Sequence, residues 1–353
     1  VLMLVGTVFV FSPALILGDV AGDGSKIAIM AWVGVIFLYY LLATLMPIDK
    51  IIGRIYPVFS FALLFMAVAL MVCLFVKWPA LPEIWDGLGN LGESKGLLSG
   101  QPVFPCLFIT IACGAVSGFH ATQSPLMARC VSDEKLGRPV FYGAMITEGI
   151  VALIWATVAS WFFYGGGAAE VGSGLSAAAP EVVVKVSEGW LGVLGGILAI
   201  LGVVAAPITS GDTAFRSARL IVADFLRLPQ KPIRNRLIIS IPLFILASFL
   251  LWYNIADEDG FNVIWRYFGW ANQTLAVFML WTATAYLVKY RGGMSFMLTL
   301  LPAAFMTAVC VTYLCVAKIG LNLPVTWNWY IGISTFVLSL AVFSILYMRR
   351  KQN

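Results

Sequence analysis

Residues 114–129, GAVSGFHATQSPLMAR, carry the chain's one histidine, His120, among groups that hydrocarbon disfavours. Gly114, Gly118 and Pro125 weaken a helix here. Ser117, Thr122, Gln123 and Ser124 stand between or beside them. A helix unwound at this point would release backbone carbonyls and amides inside the protein, which is how carriers hold ions and substrate near the membrane midplane. Imidazole titrates near neutral pH, so His120 is a group able to couple movement to a proton. The plainer alternative is a helix ending at the membrane surface, with Pro125 opening a loop.

Glu148, in FYGAMITEGIVALIWATVAS, is the only acid deep inside an apolar run. Ala144, Glu148, Ala152, Ala156 and Ser160 recur every four residues, and small residues at that spacing let helices approach closely. Glu148 is therefore expected to face other helices rather than lipid. Burial there favours the neutral carboxyl, which could carry a proton. It could equally be a structural group locked to a partner such as a backbone amide or an arginine.

Two further stretches break the apolar pattern. In AAPITSGDTAFRSAR, residues 205–219, Pro207 is expected to end a span. Thr209, Ser210 or Asp212 would then cap the next helix, with Asp212 and Arg216 paired at i and i+4. The alternative is a Ser/Thr cluster lining an ion site. In WRYFGWANQTLAVFML, residues 265–280, Gly269, Asn272, Gln273 and Thr274 interrupt an aromatic apolar run. Asn272 and Gln273 either join helices by hydrogen bonds or face a polar substrate. Trp265, Tyr267 and Trp270 read as an interfacial belt.

The elements that must position these groups are membrane helices. Of 353 residues, 61% are hydrophobic and 11% charged, against about 25% charged in soluble domains. Mean hydropathy is +0.95. A spanning helix needs roughly 20 apolar residues. Ten stretches qualify, at about 1–17, 27–47, 56–76, 102–120, 139–164, 189–208, 237–254, 263–288, 295–317 and 327–348. They are continuously apolar, which argues for helices over a barrel. Assigned alternately to two sides, the loops place 16 Lys and Arg on one face and 5 on the other, with Arg266 within a span. The acids, including Asp257, Glu258 and Asp259, gather on the poorer face. The basic face is then cytoplasmic, as is the C-terminus.

Two loops, 77–101 and 165–188, fall outside. The cytoplasmic stretch 209–236 begins as a helix, SGDTAFRSARLIVADFL, expected to lie along the membrane surface until Pro229 and Pro232 break it. The net charge of +5 is spread through short loops and points to no nucleic acid. The six cysteines form no CxxC pair and read as small apolar residues. One histidine cannot build a histidine metal cluster, so no metal or cofactor is expected. The chain opens at Val1 and runs straight into an apolar stretch, which reads as a start inside a longer protein.

The same polar stretches carry a resemblance. CGAVSGFHATQSP (Cys113 to Pro125), ITSGDTAFRSAR (Ile208 to Arg219), FGWANQTLA (Phe268 to Ala276) and MPIDKIIGRIYP (Met46 to Pro57) resemble the carbon starvation protein A (CstA) family, in the family's order. The likeness runs from near residue 1 to roughly 290, with two further membrane helices in 291–353. It implies a single polytopic domain in the inner membrane of a prokaryote. It implies uptake of small peptides or of a small carboxylate such as pyruvate, driven by protons, with sodium as the other possible ion. It also implies kinship with LeuT-like transporters, whose two inverted repeats hold interrupted helices at the substrate. Family members normally begin with a Gly-rich His-His stretch not found here, so the resemblance implies either that this part lies outside the given chain, and with it part of the expected site, or that this is an unusually short member.

Other functions fit less well. A channel would need repeated polar rings, and the polar residues are clustered. An intramembrane enzyme would need a constellation such as HExxH or GxSxG; only His120 with Ser124 comes near one. An ATP-driven pump would need a nucleotide-binding domain. A non-transporting sensor subunit would share every feature of the sequence.

Overall fold

The computed structural model describes the chain apart from residues 21, 46–48, 98–99, 176–178, 258–259, 292 and 353; it also leaves out the side chains of 45, 49–56, 113, 179–180 and 349–352. Met46–Ile48 of MPIDKIIGRIYP, Glu258 and Asp259 thus lie outside what is described, as do the side chains of 49–56, Cys113, Arg349, Arg350 and Lys351.

In chain order the α-helices are α1 (Leu2–Val20), α2 (Lys26–Leu45), α3 (Asp49–Lys77), α4 (Ile84–Leu88), α5 (Leu91–Ser94), α6 (Val103–Ala115), α7 (Gly118–Ala128) and α8 (Ala144–Tyr164). Then come α9 (Gly167–Glu170), α10 (Ala179–Ala199), α11 (Ala205–Phe225), α12 (Ile233–Ala256), α13 (Gly260–Tyr290), α14 (Met297–Val316) and α15 (Asn328–Gln352). No strand occurs among the described residues. Eight helical stretches there are long and apolar enough to cross a membrane. Two of the ten expected spans are not among them. The 102–120 stretch is split between α6 and α7, and 263–288 falls in α13, whose first half carries Arg266, Asn272, Gln273 and Thr274.

The chain divides into two compact units, one of Leu2–Glu83 and Gly149–Ile264 and the other of Ile84–Glu148 and Trp265–Asn353 with Val1. In the first, α1 packs on α2, α11 and α12, burying Val5, Val8, Val10 and Ala14. Pro13 in α1 has no N–H for the carbonyl four residues earlier. The Tyr40 hydroxyl lies 2.9 Å from that carbonyl, Phe9 O, and 3.1 Å from Pro207 O. Gly211 leaves room for the Tyr40 ring, and Gly6 for that of Phe215. At the far end of α2, Arg219 Nη1 donates to Thr44 O at 2.6 Å and Arg216 Nη2 to Ala43 O at 3.4 Å. Two guanidinium groups thus satisfy last-turn carbonyls at the negative end of the helix dipole.

These contacts overturn the expectation for 205–226. Pro207 does not end a span: α10 continues through a π-helical turn at Ile200–Val204 into α11. The helical stretch Glu181–Phe225 has 45 residues. Gly192, at φ 64°, breaks its regularity. Nor is α11 a surface helix, since Asp212, Phe215, Ser217 and Arg219 are buried. A proline near the start of a helix, followed by polar and basic residues, mimics a span end because sequence alone does not show which helices pack around it. The expected loop at 165–188 is likewise half helix, with Val182, Val184 and Val186 in a core shared with Trp161 and Phe162.

In the second unit α6 packs on α14 and α15. Phe104 stacks on Trp329 with centroids 5.0 Å apart, and Asn328 Nδ2 donates to Phe104 O at 2.9 Å. Trp270 Nε1 donates to Cys310 O and Tyr267 Oη to Ile319 O. Trp270 thus joins α13 to α14. Long rows of exposed Val, Leu, Ile and Phe along α2, α3, α12 and α15 form the apolar surface that a bilayer covers.

Candidate functional site

The helix of the histidine motif is broken. Regular α6 ends at Ala115; Val116 turns to φ −141°, Ser117 is extended at ψ 126°, and α7 restarts at Gly118. The glycines explain the location, because Gly118 packs so tightly on α13 that a Cβ would strike the backbone of Asn272 and Ala276. Pro125 does not open a loop; it lies inside α7.

Around the break three expected residues meet. Asn272 Nδ2, 1% exposed as a residue, donates to Ser117 Oγ at 3.2 Å. Gln273, fully buried, donates from Nε2 to Ile109 O at 3.1 Å. Its Oε1 has no hydrogen-bond partner among the described residues. Thr122 Oγ1 turns back to Phe119 O, and Gln123 Nε2 reaches Thr122 Oγ1. Ser124 sits on the same helix.

His120 Nε2 lies 3.1 Å from Glu148 Oε2, with side chains 38% and 39% exposed. The two groups read from sequence as alternative proton carriers are therefore one pair. With Nε2–H given to the carboxylate, the other ring nitrogen is the remaining exchangeable position. His120 Nδ1 is buried and unpartnered among the described residues. The reason given for Glu148 facing other helices does not hold, since Ala144 and Ala156 are exposed and the buried face of α8 is Ile154, Val158, Trp161 and Phe162. Among the described residues its partner is His120.

Thr209, Ser210 and Asp212 belong to the first unit. None caps a helix: Thr209 Oγ1 donates to Ala206 O within the continuous helix, and Asp212 Oδ2 accepts from Arg216 Nη2 at 3.2 Å. The expected i,i+4 pair is present, and Asp212 is 3% exposed. Tyr40 and Arg219 were not singled out from sequence, although Pro13, four residues after Phe9, signals a carbonyl in need of a donor.

A family model described as "Carbon starvation protein CstA" matches residues 2–193 and 161–313. An uncharacterized membrane protein of Haemophilus influenzae is 42% identical over 205 residues, 46% of this chain and 55% of that protein. The peptide transporter CstA of Bacillus subtilis is 27% identical over 309 residues, 76% of this chain and 51% of that protein. The pyruvate/proton symporter BtsT of Escherichia coli is 26% identical over 322 residues, covering 67% and 43%. The chain thus spans about half the length of these curated relatives. No solved structure matches it.

Proposed function

The chain belongs to the carbon starvation protein CstA family, and we propose that it forms the transmembrane body of a proton-coupled secondary transporter that takes up small peptides or a small carboxylate such as pyruvate. The similar proteins, a peptide transporter and a pyruvate/proton symporter, support both cargo classes. The observation that carries the coupling is the 3.1 Å approach of His120 to Glu148 beside a broken helix.

The pair gives a reason for proton and anion to travel together. With neutral imidazole and ionised Glu148 it bears one negative charge and repels a carboxylate. One added proton makes it neutral overall and turns His120 Nδ1 into an N–H donor, able to bind a substrate carboxylate through a charge-assisted bond. Binding of either species then favours binding of the other, which is the linkage a symporter requires. Gln273 Oε1, in the same unit, is an acceptor for a substrate N–H.

On this reading the protein is a carrier and not an enzyme, and uses no cofactor. It sits in the inner membrane of a prokaryote with its C-terminus in the cytoplasm, as the excess of Lys and Arg on one set of loops supports. The break at Val116–Ser117 suits an interrupted helix of a LeuT-like inverted repeat. Sodium remains the alternative ion. The test is uptake of labelled dialanine and labelled pyruvate into proteoliposomes under an imposed proton gradient, then a sodium gradient. Proton-driven uptake lost in Glu148→Gln supports the reading; sodium-driven uptake indifferent to Glu148 contradicts it.

A further inference from the structure

At the end of the second unit where α6 begins and α14 ends, a small cavity of ≈ 40 Å³ is lined by Gln101, Pro102, Cys106, Arg266, Tyr313 and Lys318. Arg266, left within a predicted span by the loop pattern, belongs to none of the polar groups described above. Among the described residues its guanidinium makes no hydrogen bond or ion pair, and neither does the Lys318 ammonium. An acid, Glu93, stands on the same loop region, but Asn90 Nδ2 holds its Oε2 at 2.7 Å while also donating to Gln101 O. Tyr313, 7% exposed, supplies a low-dielectric wall.

We propose that Arg266 and Lys318 form an anion-capture site that takes the carboxylate of the transported solute before it reaches His120. This rests on the transporter reading for the identity of the anion, and on the cavity itself for its charge preference. Two cations beside an apolar wall, with no counter-ion among the described residues, focus a positive potential into the space between them. A guanidinium fork matches a carboxylate in two parallel hydrogen bonds. Each enclosed water needs roughly 10–15 Å³ of such space, so the cavity has room for a carboxylate while the rest of the solute projects outward. The same loops, 77–101 and 317–324, lie on the side the charge pattern assigns to the exterior, where an uptake carrier first meets its cargo.

The full-length protein, with its own cysteines replaced and Gln101→Cys as reporter, is reconstituted into proteoliposomes. It is then labelled with a sulfonate-bearing and with a trimethylammonium-bearing thiosulfonate reagent. The anionic reagent is expected to react about tenfold faster. The preference should vanish in Arg266→Gln, persist in Arg266→Lys, and fall when millimolar pyruvate, but not acetamide, competes. In transport, Arg266→Gln should raise KM with little change in maximal rate. Equal labelling rates, a ratio unchanged in Arg266→Gln, or no reaction with either reagent would each overturn the site. Labelling needs no turnover, so a charge preference without uptake sinks the transporter reading and leaves the anion site standing.

Discussion

His120 Nε2 lies 3.1 Å from Glu148 Oε2 across the gap between α7 and the first turns of α8. Each side chain is more than a third exposed, so the ion-paired form is screened and adds little to stability. On the transporter reading proposed above, the contact holds one proton between the two groups, and His120 Nδ1, buried and unpartnered among the described residues, is the position that would meet the substrate.

The pair should therefore behave as one functional unit. Proton-driven uptake is expected to be lost in His120→Ala, in Glu148→Gln and in the double variant alike, with no added effect from the second change. Thermal unfolding of all three should stay within about 1 kcal/mol of the parent, as for exposed pairs. A double-mutant cycle on uptake rate and on melting temperature reads both.

Gly118→Ala should damage the protein through packing alone. Its Cβ would meet the backbone of Asn272 and Ala276, which cannot rotate away as a side chain could. Overpacking of this kind costs about 1–3 kcal/mol, and it displaces the Ser117–Asn272 contact. A lowered melting temperature in detergent together with lost uptake is expected.

Asp212 is buried against the partly exposed Arg216. Asp212→Ala removes the carboxylate paired with Arg216, leaving the guanidinium its bond to Ala43 O, and should destabilise the first unit by about 3 kcal/mol, the low end for buried pairs because Arg216 is partly solvated. Asp212→Ala with Arg216→Met should recover much of the loss, as judged by denaturation midpoints.

Tyr40 and Pro13 should couple. Tyr40→Phe removes the donor shared by Phe9 O and Pro207 O and should cost about 1–3 kcal/mol. Pro13→Ala restores the N–H that Phe9 O lacks. Tyr40→Phe should then cost measurably less in the Pro13→Ala background than alone.

The broken helix was legible in sequence because Gly114, Gly118 and polar neighbours inside an apolar run leave few other conformations, and the Asp212–Arg216 pair because i,i+4 spacing is local. The His120–Glu148 contact was not legible, since 28 positions separate the two and only the α7–α8 turn brings them together. The path of α11 was misread for a related reason: Pro207 looks like a terminus, yet a π-turn just before it lets the helix continue into a buried position against α1. The Ala144–Ser160 stripe predicted a packed face that proved partly exposed, because regular small residues permit close approach without requiring it.

The most direct test of the central claim is uptake of labelled dialanine and labelled pyruvate by proteoliposomes of the full-length protein, with the interior alkaline and no sodium present. The account predicts accumulation of at least one solute that collapses with a protonophore and is absent in Glu148→Gln. Accumulation of neither solute by folded protein, or uptake that survives both the protonophore and the loss of Glu148, would contradict it.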